Sequence, residues 1–348
     1  MQYSNLGNTD ISVSKICLGT MTWGEQNSQA EAFEQMDYAL ENGVNFWDTA
    51  ELYAVPPKAE TYGATETIIG NWLARSGRRS EVVLASKIAG PAEFVTHIRG
   101  GETRYNHANI QQALEGSLRR LQTDYIDLYQ LHWPERETNY FGTLGFSEPS
   151  VETPHLTPMA KTLEALSEQV KQGKIRTIGL SNETAWGTMT FLNLAKTMGL
   201  EKIVSVQNPY NLLNRSYEVG LAEMAYQEQV GLLAYSPMAF GVLSGKYLHG
   251  QRPEKARITL FPHYDRYLNS NATSATQAYA DLAQAHDLSL AQMALSYINS
   301  RPFVTANIIG ATTMSQLQEN IDSIHLQLSP EVFQGIEAIH QRYTYPSP

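Results

Sequence analysis

Four titratable side chains follow short apolar runs in this sequence. They are Asp48, Tyr53, Lys87 and His132. Three of the runs end at Trp47, Ser86 and Leu131, one residue before a titratable side chain, and Tyr53 lies five residues beyond Asp48. A carboxylate, a phenol, an amine and an imidazole gathered at one place can deliver a proton to a carbonyl oxygen. The spacing therefore indicates chemistry of the kind that a reductase performs.

The four residue types have complementary roles in such chemistry. A phenol has an ordinary pKa of about 10 and is a poor acid at neutral pH, so Tyr53 needs a neighbour that stabilises its phenolate form. Lys87 in its charged form would do this, and Asp48 would keep that ammonium charged and in place. His132 would donate to the substrate carbonyl and orient it. We expect all four side chains at one site.

The apolar runs belong to eight predicted strands that alternate with helices. The predicted strands are residues 16–20, 45–48, 82–87, 127–132, 175–180, 204–208, 231–236 and 307–311. The predicted helices are residues 29–41, 66–75, 109–121, 158–172, 184–196, 218–228, 274–286 and 315–323. Such alternation favours a parallel sheet, and eight repeats are the number at which the sheet closes into a (β/α)8 TIM barrel. The carboxyl ends of barrel strands form the face that carries catalytic groups.

The two ends of the chain add elements to this barrel. Residues 2–6, a Gly-Asn turn and residues 11–13 predict an N-terminal β-hairpin across the bottom of the barrel. Residues 330–342 predict an extra C-terminal helix, and residues 343–348 are expected to form a loose tail. Because no linker divides the sequence, we expect residues 1–348 to form a single domain.

Composition limits the class of protein. The 348 residues, 42% of them apolar, allow one large core. A net charge of −10 argues against nucleic acid or an anionic membrane as the main partner, because both attract basic surfaces. We find no apolar run long enough to span a bilayer. The only cysteine, Cys17, lies in an apolar run, so we expect a buried thiol and a cytoplasmic location.

A catalytic metal site and a Rossmann-type dinucleotide site are two alternatives to the reductase interpretation. A metal is the rival for His132, but the sequence lacks the pair of histidines separated by one residue that barrel hydrolases often use. We therefore expect no catalytic metal. A Rossmann fingerprint is also absent, since no G-x-G-x-x-G follows a strand, so any dinucleotide must be held in another way.

Later strand ends carry groups that suit a nicotinamide cofactor. These groups are Ser181, Asn182, Gln207, Tyr235, Ser236 and Gly310. The hydroxyl and amide groups among them stand where a carboxamide could bind, and Tyr235 offers an aromatic face for the nicotinamide ring. Gly310 leads into a helix whose N-terminus and hydroxyls favour a phosphate. Ordinary strand-end turns and caps would explain each motif singly.

The sequence resembles the aldo-keto reductases over nearly its whole length. The matching segments are residues 18–21, 48–53, 84–87, 118–128, 131–134, 173–176, 179–182 and 207–210. Within that family it most resembles the bacterial Tas-type proteins, which are related to the voltage-gated potassium channel β subunits. This narrower resemblance lies in residues 21–27 and in the insertion Pro56-Pro57.

The resemblance implies NADPH bound across the barrel mouth and reduction of a small aldehyde or ketone to an alcohol. It implies a catalytic tetrad of Asp48, Tyr53, Lys87 and His132, with Tyr53 as the general acid. The cofactor contacts that it implies are Gly19, Thr20, Met21, Ser181, Asn182, Gln207, Tyr235, Ser236, Lys246, Arg257, Gly310, Thr312, Gln316, Glu319 and Asn320. Two cations, Lys246 and Arg257, near the pyrophosphate and 2′-phosphate favour NADPH over NADH.

One departure from the family pattern concerns the tyrosine. Residues 54–61 separate Tyr53 from a second candidate, Tyr62, which is followed by Gly63. A step of five residues keeps Tyr53 near the strand end that carries Asp48, whereas Tyr62 would have to fold back. We therefore expect Tyr53 to be the acid, with Tyr62 as the alternative.

The expectations for substrate and regulation are less specific. The candidate walls of an apolar substrate pocket are Trp23, Trp133, Tyr140 and Phe141, and structural packing explains these residues equally well. Two long connections, residues 134–157 and 238–271, follow strands and are expected on the active face. The alternative function is an NADPH-binding regulatory or redox-sensing protein with little turnover, which the likeness to channel β subunits suggests.

Overall fold

A computed structural model describes residues 1–149 and 156–347. The strands in these residues are β1 Tyr3–Asn5, β2 Ser12–Ser14, β3 Ile16–Gly19, β4 Phe46–Asp48, β5 Val83–Ile88, β6 Ile126–Leu131, β7 Ile175–Ser181, β8 Ile203–Pro209, β9 Gly231–Tyr235 and β10 Val304–Ile309. The α-helices are α1 Gln29–Glu41, α2 Ala64–Ser76, α3 His107–Leu121, α4 Met159–Lys171, α5 Ala185–Met198, α6 Tyr217–Glu228, α7 Arg257–Leu260, α8 Ser270–Ala285, α9 Leu290–Asn299, α10 Met314–Asp322 and α11 Pro330–Arg342.

Eight of the strands close into a barrel. Their order is β10-β3-β4-β5-β6-β7-β8-β9, and each neighbouring pair is parallel. The strands are rich in Ile, Val and Leu because parallel strands are buried on both faces. The predicted (β/α)8 barrel is confirmed, and so are the N-terminal hairpin and the extra C-terminal helix.

The hairpin β1–β2 closes one end of the barrel. Leu6 and Val13 pack with Phe46 and Val204, which lie at the start of their strands. Gly7 has φ +59°, and a Cβ atom there would lie 2.7 Å from the backbone oxygen of Val204. The close approach of this turn to β8 therefore requires glycine. The amino ends of the strands are covered, and the carboxyl ends remain open to ligands.

Local signals set the beginning and spacing of the outer helices. Ser28 caps α1: its hydroxyl accepts a hydrogen bond from the Glu31 backbone, and Glu31 accepts one from the Ser28 backbone. Farther on, α2 crosses α3 closely, and a Cβ atom on Gly70 would lie 2.1 Å from the Arg120 carbonyl oxygen. Only glycine allows this approach.

Sequence analysis missed two helices, the four-residue α7 and the longer α9. Residues 290–298 of α9 are mostly apolar, and seven of the ten residues of α9 are buried, so the polar face that marks an outer helix is weak. Helix α9 packs against β10, whereas the predicted helix at residues 274–286 corresponds to α8 and packs against the outer helix α11. The connection from β9 to β10 therefore contains an additional layer of helix.

The C-terminal tail was expected to be loose, and this prediction is wrong for residues 343–347. The Ser347 backbone donates to the Leu213 carbonyl at 3.2 Å, and the Ser347 hydroxyl donates to the Arg266 carbonyl at 3.1 Å. The Asn269 amide donates to the Pro346 carbonyl at 2.8 Å. These bonds join the tail to the loop before α8 and to the loop between β8 and α6. Residue 348 lies outside the described residues.

The two long connections differ in how far they are described. Residues 238–271 contain α7 and two short 3-10 segments, Ala239–Ser244 and Leu248–Gly250. In the other predicted loop, residues 150–155 lie outside the described residues. Among the helices that are described, none has both the length and the apolar character needed to cross a membrane.

The first testable prediction concerns Asn269, which caps α8 through its side-chain oxygen and holds the tail through its side-chain nitrogen. Asn269→Ala removes the cap and the tail contact, so we expect the free energy of unfolding to fall by about 2–3 kcal/mol in urea denaturation. The matched control is Asn193→Ala, at an exposed position inside α5, which should change stability by less than about 0.5 kcal/mol. Equal effects of the two substitutions would contradict the role of Asn269.

Candidate active site

A buried ion pair joins β4 and β5 at the carboxyl end of the barrel. The Lys87 ammonium lies 2.6 Å from Asp48 Oδ2 and also donates to the Thr49 carbonyl at 2.8 Å. The Lys87 side chain is fully buried. Because side chains alternate along a strand, Lys87 faces inward while Ser86 faces outward and donates to Glu66 of α2. Burial works against the charge of Lys87, but Asp48 holds its pKa above the ordinary value.

The second oxygen of Asp48 is held by two glutamines. Gln207 of β8 donates to Oδ1 at 2.8 Å, and Gln130 of β6 donates to it at 3.2 Å. Thr20 adds a bond from its hydroxyl to the Asp48 carbonyl at 2.8 Å. Asp48 is therefore satisfied by donors from several strands, and its orientation depends on closure of the barrel.

Tyr53 lies beside this ion pair. The Lys87 nitrogen is 5.0 Å from the centroid of the Tyr53 ring. The centroids of the Tyr53 and His132 rings are 5.7 Å apart, and the two rings meet edge to face. Burial raises the pKa of the Tyr53 phenol, and the charge and hydrogen bond of Lys87 offset part of that rise. Tyr53 consequently carries its proton at neutral pH, and Lys87 is placed to stabilise the phenolate that remains after proton transfer.

His132 is an uncharged imidazole in this site. Burial, followed by the charge of Lys87, lowers its pKa well below the ordinary value. Its backbone carbonyl accepts a hydrogen bond from Asn182 at 2.9 Å, which holds the residue after β6 in place. The buried Nδ1 atom has no hydrogen-bond partner within residues 1–149 and 156–347. A neutral imidazole can donate one hydrogen bond to a carbonyl without adding a second positive charge.

The structure separates the two tyrosine candidates. Tyr62 donates to Glu51 at 3.0 Å, and its ring contacts the ring of His97. The Arg120 guanidinium forms a cation–π interaction with the Tyr62 ring. Burial, with the charge of Glu51, raises the pKa of Tyr62. Tyr53 is in contact with the Asp48–Lys87 pair, whereas Tyr62 is directed to a different carboxylate.

A large cavity opens at this end of the barrel. It has a volume of about 930 Å³, and Asp48, Tyr53 and His132 are in its wall, with Lys87 enclosed behind them. The wall includes every cofactor contact that the resemblance implies: Gly19, Thr20, Met21, Ser181, Asn182, Gln207, Tyr235, Ser236, Lys246, Arg257, Gly310, Thr312, Gln316, Glu319 and Asn320. The volume is at the upper end of the range for small-molecule sites, about 300–1,000 Å³.

Next to the tetrad, amide and hydroxyl groups are linked to one another. Tyr235 donates to the Asn182 side-chain oxygen at 2.7 Å, and Ser181 donates to the Gln207 carbonyl at 2.8 Å. Asn182 and Ser236 both adopt left-handed backbone conformations, with φ of +55° and +53°. Asn tolerates this region better than most residues, and such conformations cluster at ligand sites.

Two cations, Lys246 and Arg257, also line the cavity. Burial lowers the pKa of Lys246, and the charge of the neighbouring Arg257 lowers it further. Burial lowers the pKa of Arg257 as well. Neither side chain forms an ion pair with a carboxylate of the described residues, so each would gain from an anion bound between them. Lys255 adds another exposed cation to this wall.

The segment that follows β10 and the helix α10 after it also contribute to the cavity wall. Thr313 caps α10 and accepts from the Gln316 backbone at 3.3 Å, while the Gln316 side chain accepts from the Thr312 backbone at 3.0 Å. Asn320 donates to the Gly310 carbonyl at 3.1 Å. Thr312 and Gln316 are therefore at the N-terminus of α10, whereas Glu319 and Asn320 lie farther along the same helix.

Two of the four residues predicted to line the substrate pocket do line the cavity. Trp133 and Phe141 line it, with their rings 5.7 Å apart. The prediction for Trp23 is wrong, because this residue does not line the cavity. Trp23 is fully buried in the core, where its indole donates to Gln35 at 3.1 Å. Tyr140 is also outside the wall and packs on Phe141 with ring centroids 4.9 Å apart.

Three residues near the site were missed by sequence analysis. Gln130 precedes His132 by two positions, so strand alternation could have placed it inside the barrel. Phe94 and Arg266 line the cavity from loops, where no periodic signal marks them. Residues 1–149 and 156–347 contain no group of three or more His, Cys, Asp or Glu side chains arranged as metal ligands.

Comparison with known proteins identifies the class to which this fold and site belong. The model of the aldo/keto reductase family matches residues 15–341, and the chain belongs to this family of oxidoreductases. Protein tas of Escherichia coli K12 is 51% identical over 348 residues, which cover 100% of both chains.

More distant relatives were also found. The uncharacterized oxidoreductase YrpG of Bacillus subtilis is 34% identical and covers 97% of this chain and 96% of its own. A probable voltage-gated potassium channel subunit beta of Oryza sativa is 30% identical and covers 98% and 97%. The resemblances to Tas-type proteins and to channel β subunits are confirmed.

The second prediction tests the buried ion pair. Asp48→Asn leaves the Lys87 charge enclosed without its counterion, and we expect a loss of about 3–5 kcal/mol in the free energy of unfolding. The double variant Asp48→Asn/Lys87→Met removes both charges and should recover part of that loss. Urea denaturation of the single and double variants measures the difference. A single variant within about 1 kcal/mol of the wild type would contradict the coupling.

Proposed function

We propose that this protein reduces an aldehyde or ketone to an alcohol with NADPH, and that Tyr53 is the general acid. The observation that carries the proposal is the cluster of Tyr53, Lys87, Asp48 and His132 at a cavity whose wall also carries the cations Lys246 and Arg257. A neutral carbonyl suits the uncharged His132 and the protonated Tyr53, and an anionic dinucleotide suits the cations.

The residues present fit a nicotinamide dinucleotide phosphate. Asn182, Gln207 and Tyr235 would hold its nicotinamide end, because they bring amide groups and an aromatic ring beside the tetrad. Lys246 and Arg257 would hold its phosphates, and their lack of a described carboxylate partner supports this assignment. Bound NADPH supplies the hydride that a carbonyl carbon accepts.

Residues of the chain itself would transfer the proton to the carbonyl oxygen and stabilise the negative charge that remains on Tyr53. His132, as a neutral donor, would orient the carbonyl oxygen, and Tyr53 would transfer its phenolic proton to that oxygen. The ammonium of Lys87 would stabilise the phenolate left on Tyr53, while Asp48 keeps the ammonium charged. The enclosure of Lys87 strengthens this effect because water does not screen it.

The partners and the location follow from composition. We propose a small-molecule carbonyl compound as the substrate, with neither nucleic acid nor a membrane as a partner, since the net charge is −10. A single cysteine in 348 residues suits a reducing compartment, and we propose the cytoplasm.

A second candidate function is regulation by bound NADPH with little turnover. Similarity to the rice protein named as a probable potassium channel subunit beta favours it. The two functions separate when the purified protein is mixed with NADPH and a panel of neutral aldehydes, and the absorbance of the reduced nicotinamide is followed. Tight binding of NADPH without turnover above the buffer rate would favour the regulatory function.

The third prediction tests the acid. Tyr53→Phe removes the transferable proton, so we expect kcat for aldehyde reduction to fall by about 10²–10⁴-fold while NADPH still binds. Tyr226→Phe, on the exposed face of α6, is the matched control and should keep full activity. Full turnover by Tyr53→Phe together with an inactive Tyr62→Phe would assign the proton to Tyr62 instead.

The fourth prediction tests the choice of cofactor. The double variant Arg257→Leu/Lys246→Met removes the charged contacts to the pyrophosphate and to the 2′-phosphate, and we expect the Kd for NADPH to rise about 10–100-fold, with a smaller change for NADH, which lacks the 2′-phosphate. Titration followed by protein fluorescence measures both constants. Lys196→Met, at an exposed position on α5, is the control. Equal changes for NADPH and NADH would contradict recognition of the 2′-phosphate.

A further inference from the structure

A buried carboxylate that has no place in the proposed proton transfer lies between Asp48 and Tyr53. This residue is Glu51, and its side chain is fully buried. Its backbone N–H donates to the Lys87 carbonyl at 3.1 Å, and its Oε1 accepts from the Ala89 backbone at 2.7 Å. Glu51 therefore joins the segment that carries Tyr53 to the strand end that carries Lys87.

The counterion of Glu51 comes from another loop. Arg99 Nη1 lies 2.6 Å from Glu51 Oε2, and Arg99 Nη2 donates to the Ala89 carbonyl at 3.3 Å. One guanidinium thus holds the carboxylate and the backbone to which that carboxylate is bonded. Tyr62 also donates to Glu51 Oε2, at 3.0 Å, so the carboxylate is held from three sides.

The backbone of Arg99 supports a specific role. Arg99 has φ +46°, in the left-handed region that side chains other than Gly and Asn rarely adopt. Gly100 and Gly101, which follow it, are also at positive φ, +64° and +86°, but glycine adopts this conformation at little cost, whereas Arg99 has a side chain that disfavours it. Strained residues persist where surrounding contacts hold them, and here those contacts are Glu51 and Ala89.

The loop that presents Arg99 also carries part of the cavity wall. Phe94 lines the cavity and packs against Trp133 with ring centroids 5.5 Å apart. Val95 and Ile98 pack with Leu52 and Trp133 in one apolar cluster. Leu52 lies between Glu51 and Tyr53, so the loop contacts the Tyr53 segment by packing as well as by charge.

We propose that Arg99 is a positioning residue, which acts through the Glu51 carboxylate to set the Tyr53 phenol against the Lys87 ammonium. This proposal rests on the proposed function, because it assigns Tyr53 the role of acid. Through the same loop, Arg99 holds Phe94 at the cavity wall. It touches neither the substrate nor the cofactor site.

The fifth prediction follows from this role. Arg99→Met leaves Glu51 enclosed without its counterion and releases the Ala89 carbonyl, and a shift of Tyr53 on the order of 1 Å is expected to lower kcat about 100-fold. The Kd for NADPH should change less than about twofold, because the cofactor contacts are elsewhere. In the same variant the pKa of Tyr53 should rise, because the phenol has moved from Lys87.

A matched control lies at the opposite end of the barrel. Arg79 forms an ion pair with the buried Asp127 at 2.8 Å and donates to the Val82 carbonyl at 2.7 Å, and Asp127 has a second ion pair with Arg176 at 2.8 Å. Arg79→Met should therefore destabilise the fold less than Arg99→Met, and it should leave kcat and the pKa of Tyr53 unchanged. If Arg99→Met does not fold, Arg99→Lys decides: it keeps the charge but lacks the two-pronged contact, and we expect kcat to fall several-fold.

The outcomes separate this proposal from the proposed function. Loss of activity in Tyr53→Phe together with normal kcat in Arg99→Met, or in Arg99→Lys when Arg99→Met is unfolded, would overturn the positioning role alone. Full activity in Tyr53→Phe would overturn the proposed function. A lower kcat with an unchanged pKa of Tyr53, or an equal loss in Arg79→Met, would reduce Arg99 to a structural residue.

Discussion

The ion pair between Lys87 and Asp48 is the interaction on which the rest of this site depends. Taking two charges out of water costs several kcal/mol for each ion, and the pair persists only where attraction and further hydrogen bonds offset that cost. Here Gln130, Gln207 and the Thr49 carbonyl supply those bonds. Because these partners come from β6, β8 and the residue after β4, the barrel must close before the ion pair is satisfied.

The same cavity holds neutral and cationic side chains. Near the ion pair, burial keeps His132 uncharged and raises the pKa of Tyr53, so at neutral pH His132 can donate a hydrogen bond and Tyr53 keeps its proton. Lys246 and Arg257 also line the cavity, interact with each other and lack a described carboxylate partner. One cavity thus combines a place for a neutral reacting group with a place for an anionic one.

Much of the barrel and the tetrad could be predicted from sequence, for a physical reason. Strand ends carry a local signal, since an apolar run that stops at a polar residue is visible without a structure, and closure of eight strands brings Asp48, Lys87 and His132 together. Helix α9 was missed because a buried helix lacks the polar face that marks its period.

Contacts made by loops could not be predicted in this way. Trp23 was a candidate for the substrate wall, but its indole donates to Gln35 in the core. The residues beside Trp23 in the sequence give no sign that its side chain points into the core. Arg99 and Phe94 reach the site from a loop whose path depends on packing against Trp133. The tail was expected to be loose because its bonds to Arg266 and Leu213 join residues far apart in sequence.

The effect of Lys87 on the acidity of Tyr53 is measured most directly by the pKa of the Tyr53 phenol. NMR of protein labelled at the phenolic carbon of tyrosine can follow it through a pH titration, with Tyr53→Phe to assign the signal. In Lys87→Met the pKa of Tyr53 should rise above that of the wild type, because burial then acts without the opposing charge. The same pKa in both proteins would contradict the central claim that Lys87 controls the acid.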